Sequence, residues 1–364
     1  MKVKDFTSAL EQIAPLNYAE GFDNVGLLVG NYYDEVTKVL VCLDTTPDVV
    51  DEAIREGANL IISFHPIVFS GLKKLNGKTY VERAVMKAIK NDINIYATHT
   101  ALDNSFEGVN RGIVNQLQLK NAQVLIPKKD AIKKLVTYVP SENAEQLKKA
   151  LYEAGAGKIG LYDSCGFLLE GKGNFRPLNG ANPTIGTIGA LEEVNETRIE
   201  VVVPQHVERH VLSALFQNHP YEEVAYSLIS LVNKNQYIGL GMIGELDNEM
   251  SEMEFIAFVK EKMNTPVIRH SRLLNKTIKK VAVLGGSGAF AIPNAIASGA
   301  DAYITSDLKY HEFFSAEDQI ILMDIGHYES EQFTINLISS YLKEKFSNFV
   351  VFNSGIITNP VNYS

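Results

Sequence analysis

The chain reads as an α/β protein in which two α/β halves flank an inserted α+β unit of the ferredoxin-like kind. Three observations carry this. Near-continuous apolar strands alternate with helical segments over residues 1–127 and again over 236–364, the pattern of a parallel-leaning sheet covered on both faces. Residues 128–235 have a different texture. A strand–Pro–helix unit occurs twice there, KKLVTYVP before SENAEQLKKALYEAGAG and TRIEVVVP before QHVERHVLSALFQNHP, which is a βαβ-βαβ pseudo-repeat. Histidines that follow apolar runs, His65, His99, His311 and His327, occur on both sides of this unit and not inside it. That distribution favours flanking halves over three domains in series.

The elements follow in order. MKVKDFTSALEQIAP is an amphipathic helix without the unbroken apolar run and small-residue cleavage site of a signal peptide. KVLVCLD, ANLIISFHP and INIYATHT are strands, separated by helices around PDVVDEAIREG and YVERAVMKAIKND and followed by one through VNRGIVNQL. In the insert, GFLLEGKGNFRPLNGANPTIGTIG is Gly-rich and reads as hairpins and loops, and YEEVAYSLISLVN closes the repeat. The last segment runs KKVAVLGGSG, AIPNAIASG, DAYITSD, a helix near HEFFSAED, QIILMDIGHY, one long helix over ESEQFTINLISSYLKEKF, and NFVVFNS.

With 364 residues, 46% of them hydrophobic, the chain has ample material for packed cores. A net charge of −9 without a long basic tract does not favour a nucleic-acid partner. No run of about 18 apolar residues is present, so no membrane span is expected, and the location expected is the cytoplasm. Cys42, in an apolar strand, reads as a core residue; with Cys165 the only other cysteine, thiolate metal sites and disulfide frameworks are not expected.

The chemistry gathers at strand ends, where α/β folds place ligand sites. His65 precedes Pro66, which ends its strand and leaves the imidazole at the tip. His99 and His327 each have a carboxylate four residues on, Asp103 and Glu331; His311 has Asp307 four residues before it. A helix starting after Gly326 puts His327 and Glu331 on one face, able to chelate one ion. The bland readings are a backbone-satisfied imidazole for His65, a helix N-cap for Asp103 and a surface pair for His327 and Glu331. Imidazole with carboxylate and no sulfur suits Zn, Mn, Fe, Co or Ni alike. Three look-alikes fall away. GLKKLNGKT has one residue too many for a phosphate-binding P-loop, GGSGAF reads as a strand-to-helix turn whose amides hold an anion, and His206, His210 and His219 read as surface residues.

Taken together, EGFDNVGLLVG at 20–30, the His-Pro after a strand, THTALDN, LGGSG, TSDLKYH and GHYESE resemble the GTP cyclohydrolase I type 2 homologs. These are the NGG-interacting-factor-three-like dinuclear metal-centre proteins. The insert resembles the PII/CutA-like domain of the longer bacterial members. The resemblance covers essentially the whole chain. It implies a two-metal centre built from both halves, with His65, Asp103, His327 and Glu331 as ligands and Glu331 bridging, and often a ring-shaped homohexamer; one or two divalent ions per chain are expected. It departs at two places. Phe64 stands where the family has the first histidine of His-His-Pro, and Thr305-Ser306-Asp307 stands for Thr-Gly-Asp. The function expected is a metal-dependent hydrolase of a small nucleotide-like molecule, with His99, Asp307 or His311 shuttling protons or touching substrate. The alternatives are a non-catalytic metal-binding scaffold or regulator, and a metal-dependent phosphoesterase.

Overall fold

Residues 1–129 and 131–364 are described by the structure, a computed structural model of the chain. They form two compact units. One joins Met1–Pro127 to Tyr237–Ser364, and the other is Lys128–Gln236.

The first unit contains two sheets. One has the strand order β1 (Gly26–Val29), β4 (Asn94–Ala97), β3 (Leu60–Ser63), β2 (Val39–Cys42), β15 (Val351–Asn353). Strands β15, β2, β3 and β4 run parallel and β1 is antiparallel at the edge. The second has the order β11 (Arg269–His270), β14 (Ile321–Asp324), β13 (Ala302–Ser306), β12 (Thr277–Ser287), β10 (Gly239–Ser251), β5 (Lys120–Pro127). Only β12, β13 and β14 are parallel to one another there.

Each sheet is covered on both faces, which is why β2, β3, β4, β13 and β14 are buried at every position. On the first sheet, α1 (Val3–Ile13) and α11 (Thr334–Lys345) pack Phe6, Leu10, Ile338 and Leu342 against Val39, Val41, Leu60 and Ile62. On its other face, α2 (Pro47–Glu56) and α3 (Tyr80–Lys90) bring Val49, Ala53, Ala84 and Ala88 to Leu40, Ile61 and Ile95. The second sheet has α5 (Val109–Gln116) and α8 (Glu252–Lys262) on one face and α9 (Ile292–Ala297) on the other. Local sequence fixes the helix ends. Thr46 caps α2 before Pro47, and Gly57 ends it at φ +71°. Ser251 and Glu254 form a reciprocal capping box at the start of α8. Such a cap is worth about 1 kcal/mol.

The two halves trade strands. β15, from the last segment, completes the first sheet, and β5, from the first segment, forms an edge of the second. The segment after β14 is not one long helix. It breaks into α10 (His327–Glu331) and α11 because Phe333 turns into the core of the second sheet, while Tyr328 and Ile335 pack on that of the first. HEFFSAED forms 3-10 turns over Tyr310–Ala316 rather than an α-helix.

The second unit runs β6 (Ile132–Pro140), α6 (Ala144–Glu153), β7 (Gly166–Phe175), β8 (Glu192–Pro204), α7 (Glu208–Asn218), β9 (Tyr226–Ser230). Its sheet order is β7-β8-β6-β9, all antiparallel. Leu147, Leu151, Val211 and Leu215 from the helices meet Leu135, Val139, Ile199 and Val201 on one face. The start of the Gly-rich stretch is a ten-residue strand paired antiparallel with β8, the first arm of a hairpin. Its three glycines, Gly166, Gly171 and Gly173, interrupt the alternation by which strands are recognised. His219 is not a surface residue. It is buried, its Nε2 lies 2.9 Å from the Tyr138 carbonyl, and its Nδ1 accepts from the Tyr221 amide. His206 is half-buried, and desolvation pushes its pKa down to about 4. Among the described residues, no helix is long and apolar enough to cross a membrane.

Candidate metal centre

The parallel strands of both sheets deliver their C-terminal ends to one place. Asp44 follows β2, His65 follows β3, His99 follows β4, Asp307 follows β13 and His327 follows β14. The ladder continues beyond the formal strand ends and fixes the backbone there. The His65 amide donates to the Leu43 carbonyl and the His99 amide to the Phe64 carbonyl, both at 2.9 Å.

His65, His327 and Glu331 form the metal-capable cluster among the described residues. His65 Nε2 lies 3.1 Å from Glu331 Oε2, His327 Nε2 lies 3.2 Å from the same oxygen, and the two Nε2 atoms are 3.4 Å apart. A tetrahedral ion with bonds of about 2.0–2.1 Å separates its ligand atoms by about 3.3–3.4 Å. The three donors therefore already stand close to the edges of such a polyhedron. Glu331 Oε2 is sealed from solvent and, despite the short distances to both rings, lacks a hydrogen bond of proper geometry.

Each imidazole is oriented through its other nitrogen. Asp44 Oδ1 lies 2.8 Å from His65 Nδ1, Asp307 Oδ2 lies 2.6 Å from His327 Nδ1, and Asp23 Oδ1 lies 2.7 Å from His99 Nδ1. A carboxylate on Nδ1 fixes ring orientation and leaves Nε2 as the donor. The carboxylates are anchored in turn. Asp44 Oδ2 accepts from Thr358 Oγ1 at 2.6 Å, and Asp23 accepts from the Thr100 amide and hydroxyl. Asp44→Asn keeps this shape and removes the charge; ion affinity is expected to fall about 10–100-fold, read by titration calorimetry.

The electrostatics agree. Against the cost of burial, Asp44 and Glu331 hold the His65 imidazole up to about 9, and Asp307 and Glu331 hold that of His327 up to about 11. The same imidazoles keep Glu331 down to about 2 although it is buried. The resting cluster is thus two imidazoliums around a buried carboxylate, positive charge standing where an ion would bring it. Asp103, at the end of α4 (His99–Asp103), has a sealed Oδ1 without a hydrogen bond. Burial and the charge of Glu331 hold its carboxyl well above the ordinary carboxylate range.

Glycine makes room for Glu331. Gly286 has φ +70°, and a Cβ there would lie 2.5 Å from Glu331 Oε1. In LGGSG the first two glycines lie within β12, with their amides taken by Asn110 Oδ1 and Ser330 Oγ and so closed to an anion, while Gly288 makes the turn from the strand into the 3-10 helix Ala289–Ala291 ahead of α9. Gly286→Ala combines a left-handed backbone, costing about 1–2 kcal/mol for an L-residue, with displacement of the carboxylate. It is expected to lower the melting temperature and to abolish ion uptake, the first read by calorimetry and the second by bound-metal analysis.

Of the remaining sequence candidates, His99 lines the open cavity beside the cluster together with His65, Asp307 and His327. Asp307 is engaged with His327 Nδ1. His311 is exposed, its ring against Tyr310 and Phe314, and it does not line this cavity. Phe64 is fully buried in the core of the first sheet, 4.9 Å from the His65 ring and 5.7 Å from that of His99, so it fills this space without offering a donor. Ser306 leaves its buried Oγ unpartnered. Sequence reasoning gave no role to Asp44 and Asp23. The first ends an apolar strand and the second sits inside EGFDNVG, 21 and 76 residues from their histidines.

A donor cluster at facing strand ends, with carboxylate-oriented imidazoles and an adjoining cavity, defines an α/β protein built around a candidate divalent-metal centre. The model of the Duf34/NIF3 (NGG1p interacting factor 3) family matches residues 1–360, and the chain belongs to that family. A Bacillus subtilis protein named GTP cyclohydrolase 1 type 2 homolog is 40% identical, covering 97% of this chain and 96% of its own. A Staphylococcus aureus protein of the same name is 37% identical over the full length of both. The solved structure of a Bacillus cereus protein related to NIF3 superposes with a TM-score of 0.86 at 37% identity, covering 100% of this chain and 99% of the other.

Proposed function

We propose that this protein is a divalent-metal-dependent hydrolase of a small nucleotide-like molecule, with His65, His327 and Glu331 holding the ion and Asp103 supplementing them. The observation that carries this reading is the convergence of two Nε2 atoms and one buried carboxylate oxygen within 3.4 Å. A bound divalent ion supplies Lewis acidity and lowers the pKa of water. The chain's residues supply the rest. Asp44 and Asp307 hold the ligating rings, and Asp23 holds His99 so that its Nε2 can carry a proton in the cavity.

The cavity beside the cluster has a volume of about 660 Å³, within the size class that takes a small ligand, roughly 300–1,000 Å³. Phe69, Tyr328 and Tyr363 offer ring faces, and Arg269 offers a cation. Arg269 is held by Asp324, which lines the same cavity, and by the Leu308 carbonyl. Together these suit a ring bearing an anionic chain.

The test is incubation of the ion-loaded protein with GTP, following formate for ring opening and phosphate for ester cleavage, with Glu331→Gln alongside. Formate release lost in the variant supports ring hydrolysis, and phosphate release alone converts the reading to a phosphoesterase. Neither, in protein shown to hold its ion, overturns catalysis and leaves a metal-binding scaffold. Phe64, which removes a nitrogen donor, is the observation that favours this second reading.

We read the inserted unit as ferredoxin-like, of the PII/CutA-like kind, on the support of its βαββαβ order and strand sequence. Family likeness also implies self-association into a ring of six in the cytoplasm, checked by light scattering.

A further inference from the structure

The inserted unit holds a cavity of its own, about 610 Å³ in volume. It lies on the sheet face opposite the helices. Leu135, Val139, Ile199 and Val201 point to α6 and α7, so the alternate residues Tyr138, Arg198 and Leu169, paired side by side in register, occupy the other face. These three line the cavity, and the excursion between β7 and β8 forms its opposite wall with Phe175, Leu178 and Ile185.

The walls are tied in place. The Gly189 amide donates to the Pro177 carbonyl at 2.8 Å, Thr184 Oγ1 donates to the Pro220 carbonyl at 2.7 Å, and the Asn182 amide donates to the Glu222 carboxylate at 3.0 Å. Tyr221 packs edge-on to Phe175 at 5.7 Å and donates its hydroxyl to Glu196 at 3.0 Å. The cavity is thus preformed, as binding pockets for small molecules usually are.

Its polar groups are incomplete. The guanidinium of Arg198 sits 5.9 Å from the Tyr138 ring centre and pairs with Glu200 through Nη2 at 2.5 Å, while its Nε–H is sealed from solvent without an acceptor. The side chain as a whole is 40% exposed, so its outer guanidinium edge stays open to an acceptor. Arg176, also lining the cavity, is exposed and has no hydrogen-bond or ion-pair partner among the described residues. Glu170, Glu196, Glu222 and Glu223 also line the cavity, with Glu196 engaged by the Tyr221 hydroxyl and Glu222 by the Asn182 amide; the two arginine forks beside three aromatic rings suit a flat ring that carries a planar or tetrahedral anion.

We propose that this cavity is a second ligand site, independent of the metal cluster, for a planar aromatic molecule bearing a carboxylate or phosphate. The ring lies among Tyr138, Phe175 and Tyr221, and the anion meets the exposed guanidinium edges of Arg198 and Arg176.

The experiment uses the full chain and 8-anilinonaphthalene-1-sulfonate, an aromatic anion whose fluorescence rises in an apolar site. Saturable binding is expected, with one site per chain that depends on Arg198 and Arg176. Arg198→Met keeps the apolar stem and is expected to weaken binding at least about tenfold, as a charge-assisted contact is lost. Arg176→Gln, at an exposed partnerless position that leaves folding intact, is expected to weaken it several-fold. Glu331→Gln, which alters only the metal cluster, is expected to bind as the wild type does. Displacement by AMP assigns a phosphate-bearing ligand, and displacement by indole-3-acetate a carboxylate-bearing one; either supports the site. Non-saturable fluorescence, unchanged affinity in both arginine variants, or no displacement by either competitor overturns it.

Discussion

Glu331→Gln is expected to weaken divalent-ion binding by more than about 100-fold. Changing a group that only orients a ligand typically costs about 10–100-fold, and Glu331 is a donor itself. Its Oε2 lies within 3.2 Å of both Nε2 atoms, and it is 4% exposed, so solvent cannot replace it. The amide has the same shape and still fits against Gly286, so folding is preserved and the loss reports on charge and donor strength. Titration calorimetry of Zn or Mn into both proteins measures it. Equal affinity in the two would remove Glu331 from the site.

Ion uptake is expected to be steeply pH-dependent. Imidazole binds metal only as the neutral ring. Without an ion, the neighbouring carboxylates hold His65 up to about 9 and His327 up to about 11. Both rings are therefore protonated at neutral pH, and each must release its proton when the ion enters. Affinity rises with pH, by about 100-fold per pH unit while the two imidazole protons are displaced, and less steeply above about 9, where His65 is already neutral; Asp103, held well above the ordinary carboxylate range, adds to the slope while its carboxyl is protonated. Glu331, held down to about 2, contributes no proton in this range. Titrations at several pH values, repeated in buffers of different ionisation enthalpy, count the protons directly. A flat profile between pH 6 and 8 would contradict the imidazolium–carboxylate cluster; those bounds follow from the neutral-range titration of imidazole, roughly 6.5 when unperturbed.

The strands that deliver the site were legible because they are local signals. VLVC, LIIS and NIYA are short apolar runs bounded by turn residues, and each becomes a fully buried strand. His327 and Glu331 were legible as a pair because helical spacing alone puts them on one face. What the sequence does not display is pairing over distance. Nothing local says that NFVVFNS joins the sheet of the first segment, or that Lys120–Pro127 joins that of the last. Asp44 and Asp23 were invisible for the same reason, since a lone aspartate after a strand or in a loop carries no mark of the histidine it will meet. The role of Gly286 depends on a carboxylate arriving 45 residues later in the chain, at Glu331. The misread long helix failed differently. Its apolar period is continuous, and only the presence of two cores on either side of Phe333 explains the break.

The most direct test is metal content per chain after loading with Zn or Mn and removing unbound ion by gel filtration. Three converging donors with Phe64 in place of a further imidazole call for about one tightly held ion per chain. Correctly folded protein that retains none, with ion supplied above the value of about 9 at which His65 becomes neutral, would contradict the metal centre of His65, His327 and Glu331.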